Sequence, residues 1–424
     1  MAQLSVLREE ILSGKYDAAF SRLYPDPAPA VRERYLSVLA GFEERFGAER
    51  DVYLFSAPGR TELGGNHTDH NGGKVLAGAV NRDVICAAAK AEGESVMTSL
   101  AFGESRADAS DLLRRPEELG SSQALMRGVM AGFEKHGYAV GNFVAFTHST
   151  VPGGSGISSS AAFEVLLGTI LNPFYNNGAV SPEEIAVIGR FAEAEYFGKP
   201  CGVMDQLASA LGGIRLFDLT EPTEPQHSAA PAFPADSHIL CLVKVGEDHA
   251  DLTDCYAALP ARMKRVAAVF GKERLSQVPE AEFFSSLPRL REETDDDCVL
   301  AAVHFYHESR RAMQLADALE RCHFPAYLDL VRASGHSSFE HLGNVRIPVE
   351  GSRQGACLAL AVAEGILGSC GAVRIHGGGF GGTVQCYVPR YLWDKFASAM
   401  EALFGEDCLL PLCFRADGAC LVEP

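Results

Sequence analysis

"VPGGSGISSSAAFEVLLG", Val151 to Gly168, is a glycine turn that runs into a helix-prone segment. Gly153, Gly154 and Gly156 allow the backbone to turn with its N–H groups pointing inward, a concavity suited to an anion. The segment that follows would present a helix N-terminus to that anion, where unpaired N–H groups and the helix dipole favour negative charge. The hydroxyls of Ser158, Ser159 and Ser160 can donate to phosphate oxygens or ligate a hard cation. The stretch lacks the lysine of GxxxxGK[ST] and the glycine spacing of a dinucleotide fold. On glycine and serine content alone, a phosphate cradle and a serine-capped turn before a core helix fit equally well. The neighbouring sequence has to decide.

Immediately upstream, "NFVAFTHS" (Asn142 to Ser149) reads as a strand, and short β-prone runs ("VYLF", "KVLAGAV", "DVICAAA") fall between Val52 and Glu92. The first fifty residues carry apolar positions at three- and four-residue steps, the pattern of amphipathic helices. Downstream, "TEPTEPQHSAAPAFPADS" (Thr220 to Ser237) holds four prolines and little periodicity, so it reads as a surface connection. Beyond it come a strand, "HILCLVKV", several helices, a strand–glycine turn–strand unit, "AVRIHGGGFGGTVQCYVP", and a late helix. Mixed strands and helices on both sides of the connection predict an α+β or α/β chain rather than an all-helical one. At 424 residues two domains are the default, here 1–219 and 220–424.

A formal net charge of −18, from 37 basic and 55 acidic residues, argues against a nucleic-acid footprint or an anionic membrane surface. No apolar run approaches the roughly 18 residues of a spanning helix, and glutamates stand where an export signal would be apolar. The twelve cysteines are scattered without a CxxC, as in reduced, buried thiols. Together these features predict a cytoplasmic protein.

A second informative stretch is "APGRTELGGNHTDHNGG", Ala57 to Gly73, which has little to bury and many polar groups to present. His67 and His70 lie three apart, as metal ligands do on a helix. The glycines forbid a helix there, and no further His/Cys cluster follows, which argues against a zinc hydrolase. Whether the segment holds a phosphate or a polyol is left open by its residues alone.

Four motifs then occur in order: this segment, the serine loop, "GKPCGVMDQLASALGG", and "RIHGGGFGG". In that order they resemble the GHMP kinases, and within them the branch that phosphorylates galactose. The likeness covers nearly the whole chain, through "HADLTDCYAALPARM" and "HFYHESRRAMQLADAL". It implies a two-domain GHMP kinase fold, with a ribosomal-protein-S5-like N-terminal domain, a ferredoxin-like C-terminal domain and the active site between them. The implied reaction is ATP-dependent, Mg²⁺-assisted phosphorylation of the anomeric hydroxyl of D-galactose.

Carried over position by position, the resemblance makes Asp205 the carboxylate at the attacking hydroxyl and Arg60 its neighbouring cation. Asn66, His67, Asp69, Gly202 and Tyr256 would contact the sugar. Gly153, Gly154, Ser155, Gly156, Ser158, Ser159 and Ser160 would hold the nucleotide, with Ser159 and Glu193 on the metal. Gly378, Gly379 and Gly381 would pack against the nucleotide loop, while His70 and His376 would be structural. The expected partners are a sugar and ATP, with no nucleic acid or membrane and the oligomeric state left open. A galactose-responsive binding protein on the same fold is the alternative from another class. A galacturonate kinase is the alternative substrate reading, because that branch usually carries a glutamate where Asn66 stands.

Overall fold

Three N-terminal helices, α1 (Leu4–Leu12), α2 (Asp17–Leu23) and α3 (Ala28–Phe46), follow the amphipathic pattern of the sequence. In α3 the buried residues Val31, Tyr35, Val38, Leu39 and Phe42 fall on one face at helical spacing. The computed structural model of the protein describes residues 2–25, 28–100, 103–154, 156–221, 223–246 and 253–424.

The helices cover one face of a nine-stranded sheet. Its strands are β1 (Ala2–Gln3), β2 (Asp51–Gly64), β3 (Lys74–Lys90), β4 (Ser95–Ser99), β5 (Gly103–Ala107), β6 (Phe143–Ser149), β7 (Ile214–Asp218), β8 (Gln226–Ala230) and a C-terminal strand introduced below. The short β-prone runs of the sequence fuse into two long strands, β2 of 14 residues and β3 of 17. Side chains alternate along them. Val52 and Leu54 of β2, with Ile85 and Ala87 of β3, pack under the N-terminal helices. Phe55, Cys86 and Ala88 point to the opposite face. There they meet α4 (Ser122–Lys135), α5 (Ser159–Tyr175), α6 (Pro182–Phe191) and α7 (Met204–Leu211).

A second, four-stranded antiparallel sheet is built from β9 (His238–Lys244), β10 (Ala372–His376), β11 (Thr383–Pro389) and β12 (Leu409–Leu412), in the order β10-β11-β9-β12. With α14 (Trp393–Phe404) between β11 and β12, and α8 (Thr253–Val269) to α13 (Gly355–Leu367) between β9 and β10, this is the ferredoxin-like connectivity. The intervening helices are α9 (Glu280–Ser285), α10 (Leu287–Glu293), α11 (Asp296–Glu320) and α12 (Phe324–Ser337). One apolar core continues from the first sheet to the second, joining Phe55 and Leu76 with Leu240, Tyr327 and Leu412.

The proline-rich segment holds β8, an edge strand paired to β7. Its residues are mostly exposed or half-buried, so it carries no apolar alternation to betray a strand. The last strand, β13 (Cys420–Leu421), returns to pair with β2. Residues beyond 220 therefore contribute to both sheets, so the expected division into 1–219 and 220–424 does not separate them: β8 and β13 complete the first sheet.

Candidate active site

β2 departs from regular register on either side of Arg60 and Glu62, with shifts between Pro58 and Arg60 and between Glu62 and Gly64. Such irregularities re-aim side chains. Arg60 donates from Nε and from one terminal nitrogen to the two oxygens of Asp205, each at 2.6 Å. Its other terminal nitrogen donates to the carbonyl of Gly156 in the serine loop. Ser158, at the start of α5 with φ of 59°, donates to Asp205 at 2.5 Å. Burial pushes the Asp205 carboxyl upward. The Arg60 charge and hydrogen bonds, with Ser158, override that and hold it below the usual aspartate value.

The serine loop needs its glycine at 156. That residue has φ of +74°, and a Cβ there would stand 2.8 Å from Nδ1 of His376. His376 is buried, sits within reach of Thr61 at 2.9 Å, and is kept neutral by burial and by the charges of Arg60 and Arg374. The loop, Lys199, Asp205 and the turn 377–382 line a cavity of about 410 Å³. Gly153 is exposed and lies outside that lining, and Ser155 lies outside the described residues. A more apolar cavity of about 290 Å³ adjoins it through Ser159 and Ser160, walled by Met97, Leu125, Phe163 and Phe197. Sequence reasoning missed this wall, because its residues come from four separate elements and share no motif.

Glu193 is 2% exposed, on a π-helical turn (Ala192–Phe197) that extends α6. Its neighbour Glu195 faces solvent. One Glu193 oxygen accepts from Ser160 at 2.9 Å and from the Lys199 ammonium at 3.1 Å, and the other from Gln206 at 2.9 Å. The hydroxyl beside Glu193 is therefore that of Ser160. Ser159, the serine expected on the metal, lines both cavities at the first position of α5, one residue before the hydroxyl that bonds Glu193. Behind them Glu164 shares Gln206 at 2.9 Å, and burial plus the charge of Glu193 raise its carboxyl well above the usual range.

A smaller pocket opens beside Asp205, lined by Arg60, Glu62, Asn66, His67, Asp69, His70, Gly202 and Tyr256 among others. His67 adopts φ of 59° and lies 3.0 Å from the carbonyl of Gly378. Burial, with His70 beside it, lowers its pKa to about 3. The ring is neutral at pH 7, with Nε2–H donating to that carbonyl and Nδ1 left as an acceptor. Asp69 fits against Gly202 so closely that a Cβ on residue 202 would stand 2.0 Å from its carboxylate. Tyr256 reaches His70 at 3.2 Å, which gives His70 a supporting contact.

Asn66 is fully buried and engaged at both ends. Its amide nitrogen donates to the Gly377 carbonyl at 3.0 Å and approaches the Glu62 carboxylate at 3.3 Å, while its oxygen accepts from Asn344 at 3.0 Å. Glu62 is itself paired to the buried Arg374 at 2.9 Å. The third glycine motif is thus stitched to the polyol segment through Asn66 and His67, and it meets the serine loop at Gly156. Among the described residues there is no cluster of three or more His, Cys, Asp or Glu arranged to hold a metal by themselves, and no helix long and apolar enough to cross a membrane.

Residues 40–90 match the galactokinase galactose-binding signature, and residues 124–213 match the GHMP kinases N-terminal domain. A galactokinase of Glaesserella parasuis serovar 5 is 28% identical over 377 residues, covering 86% of this chain and 91% of the relative. The crystal structure of Lactococcus lactis galactokinase complexed with galactose superposes with a TM-score of 0.77 at 22% identity, over 90% of this chain and 97% of that one. L. major mevalonate kinase, in complex with R-mevalonate, follows at 0.59 and 13% identity, over 87% and 98%. The fold is that of the GHMP kinases, and the chain carries their N-terminal domain over residues 124–213. Within that fold, the sugar signature over residues 40–90 makes it similar to the galactokinases.

Proposed function

We propose that the protein transfers the γ-phosphoryl group of ATP to the anomeric hydroxyl of D-galactose, giving α-D-galactose 1-phosphate and ADP. The observation that carries this reading is the Arg60–Asp205 pair, which lines both the loop cavity and the pocket of the polyol segment. A sugar hydroxyl is a poor nucleophile and needs a carboxylate beside it. Asp205, kept ionised by Arg60, accepts the hydrogen bond of that hydroxyl. As the bond from the anomeric oxygen to the γ-phosphorus forms and the bond to the leaving ADP oxygen breaks, the hydroxyl proton passes to Asp205. The lowered basicity of Asp205 makes this proton transfer late, as suits a loose phosphoryl-transfer transition state.

His67 and Asp69 would select the sugar hydroxyls, with Gly202 leaving Asp69 its space and Tyr256 closing the pocket. The backbone at Gly154 and Gly156, with Ser158 and Ser159, lines the cavity and would hold the phosphates at the N-terminus of α5. The adjoining apolar cavity would take the nucleobase. The Glu193 carboxylate and the Ser160 hydroxyl form an oxygen donor set that fits a hard divalent cation. Bound there, Mg²⁺ would neutralise phosphate charge. The site would lie in the cleft between the unit of the first sheet, which β8 and β13 complete from beyond residue 220, and the unit of the second sheet, and the protein would act in the cytoplasm.

An ADP-release screen with Mg·ATP over galactose, galacturonate, N-acetylgalactosamine, arabinose and glucose tests the reading. Galactose should give the highest kcat/KM. A better turnover of any other sugar, or of none, would overturn it.

A further inference from the structure

We propose that Lys199 is a phosphoryl-transfer residue, its ammonium meeting the γ-phosphoryl oxygens as the group crosses from nucleotide to acceptor. The inference rests on the ATP-dependent transfer proposed above. The loop cavity and the polyol pocket share six lining residues: Arg60, Lys199, Asp205, Tyr256, Gly377 and Gly378. Any group passing between the two cavities passes this junction. It carries two cationic side chains, and they are held very differently.

The Arg60 guanidinium is committed on Nε and on both terminal nitrogens, to the two Asp205 oxygens and the Gly156 carbonyl. It fixes the carboxylate and cannot turn to follow a moving charge. Among the described residues the Lys199 ammonium makes one hydrogen bond, to Glu193 at 3.1 Å, while an ammonium has three donors. Its side chain is 51% exposed, against 8% for Arg60. The backbone beneath it is anchored, because the N–H groups of Gly198 and Lys199 both bond the Glu193 carbonyl at 3.1 Å. A fixed Cα with a long, loosely held side chain is a swinging cation at the junction.

Glu193 does not depend on that contact. Ser160 and Gln206 hold its two oxygens from the other sides, so the carboxylate keeps a partner on each oxygen when the ammonium leaves. The pair therefore reads as a resting position for Lys199. Electrostatic stabilisation of the equatorial phosphoryl oxygens is the main task of a protein in this chemistry, and a point charge that adjusts to them suits it.

The test is calorimetric titration of the whole protein with ADP and with the β,γ-imido analogue of ATP, both with Mg²⁺ and without sugar, in wild type, Lys199→Met and Lys199→Arg. Lys199→Met should weaken the imido analogue by about 10- to 100-fold, the scale of a charge-assisted hydrogen bond. ADP affinity should stay within about twofold, and Lys199→Arg should recover part of the loss. With galactose, Lys199→Met should then lower kcat with little change in the KM for sugar. Equal weakening of both nucleotides, or no change in either, would overturn the proposal. Because the titrations need no sugar, a wrong acceptor would show in the ADP-release screen and leave this comparison readable.

Discussion

Arg60 and Asp205, 145 residues apart in the chain, meet in a bidentate pair with both contacts at 2.6 Å. One partner sits in an irregular stretch of β2 and the other in the first turn of α7. The pair is mostly buried, and the charge it holds faces the junction of two cavities. Asp205→Asn removes that charge and keeps the shape. Turnover should fall by roughly 10²- to 10⁴-fold, while galactose affinity measured without nucleotide changes little. Near-normal kcat in a folded variant would remove Asp205 from the chemistry.

Gly202 gives the sharpest steric prediction. A Cβ there would collide with the Asp69 carboxylate at 2.0 Å. Gly202→Ala should raise the KM for galactose by about tenfold or more and leave ADP affinity unchanged, since a displacement of about 1 Å in a positioning group costs on the order of 10²-fold. If sugar and nucleotide binding weaken together, the clash is being relieved through the whole loop and Asp69 is not the sensor.

Asn66 was the one departure from the usual signature, and its surroundings alter what a glutamate there should do. The Asn66 amide lies 3.3 Å from the Glu62 carboxylate and donates to a carbonyl, in a fully buried place. Asn66→Glu sets two carboxylates against each other and loses that donor. The expected result is a fall in Tm with loss of affinity for galactose and galacturonate alike. A stable Asn66→Glu protein with a changed ratio of kcat/KM for the two sugars would instead make residue 66 the reader of the C6 group.

Away from the site, Asp83 ties distant parts of the chain together. It accepts from Tyr24 at 2.6 Å and Ser56 at 2.5 Å, and pairs with Arg34 at 2.6 Å and Arg415 at 3.2 Å. Burial raises its carboxyl, but the charges of Arg34 and Arg415 with the hydroxyl donors hold it below the ordinary value in the folded state. A lowered folded pKa contributes stability above the unfolded value of about 3.9 and loses it as pH falls through the folded one. Asp83→Asn leaves the buried Arg415 and the half-buried Arg34 short of a counter-charge and should cost about 3–5 kcal/mol at pH 7. In urea titrations the gap between the two proteins should narrow below about pH 4. A gap that is absent at pH 7, or constant down to pH 3, would contradict this account.

The elements that run at clear periods were legible in the sequence. The helices of the first fifty residues, β6, β9 and the strand–turn–strand around Gly377 to Gly382 all lie where the patterns put them. β8 was not legible, because an exposed edge strand between prolines has no apolar alternation. Local chemistry suggested an anion at Gly154 and Gly156, while the sugar at His67 and Asp69 came from the resemblance. Local chemistry did not join them: the meeting of Arg60 with Asp205 is a long-range contact that only the resemblance implied. Which serine faces Glu193 depends on where α5 starts, and a one-residue shift turns a helical side chain by about 100°. Lys199 showed no signal at all, because its importance comes from lying between two cavities that no single motif describes.

The account's central claim is phosphoryl transfer to the anomeric oxygen of galactose. It is tested most directly by incubating the protein with Mg·ATP and galactose carrying ¹³C at C1, and following the product by ¹³C and ³¹P NMR. The account predicts a single α-anomeric product whose C1 couples to phosphorus, with ADP formed in equal amount. Phosphate appearing on any other carbon, or ATP and galactose left unchanged by folded protein that binds both, would contradict it.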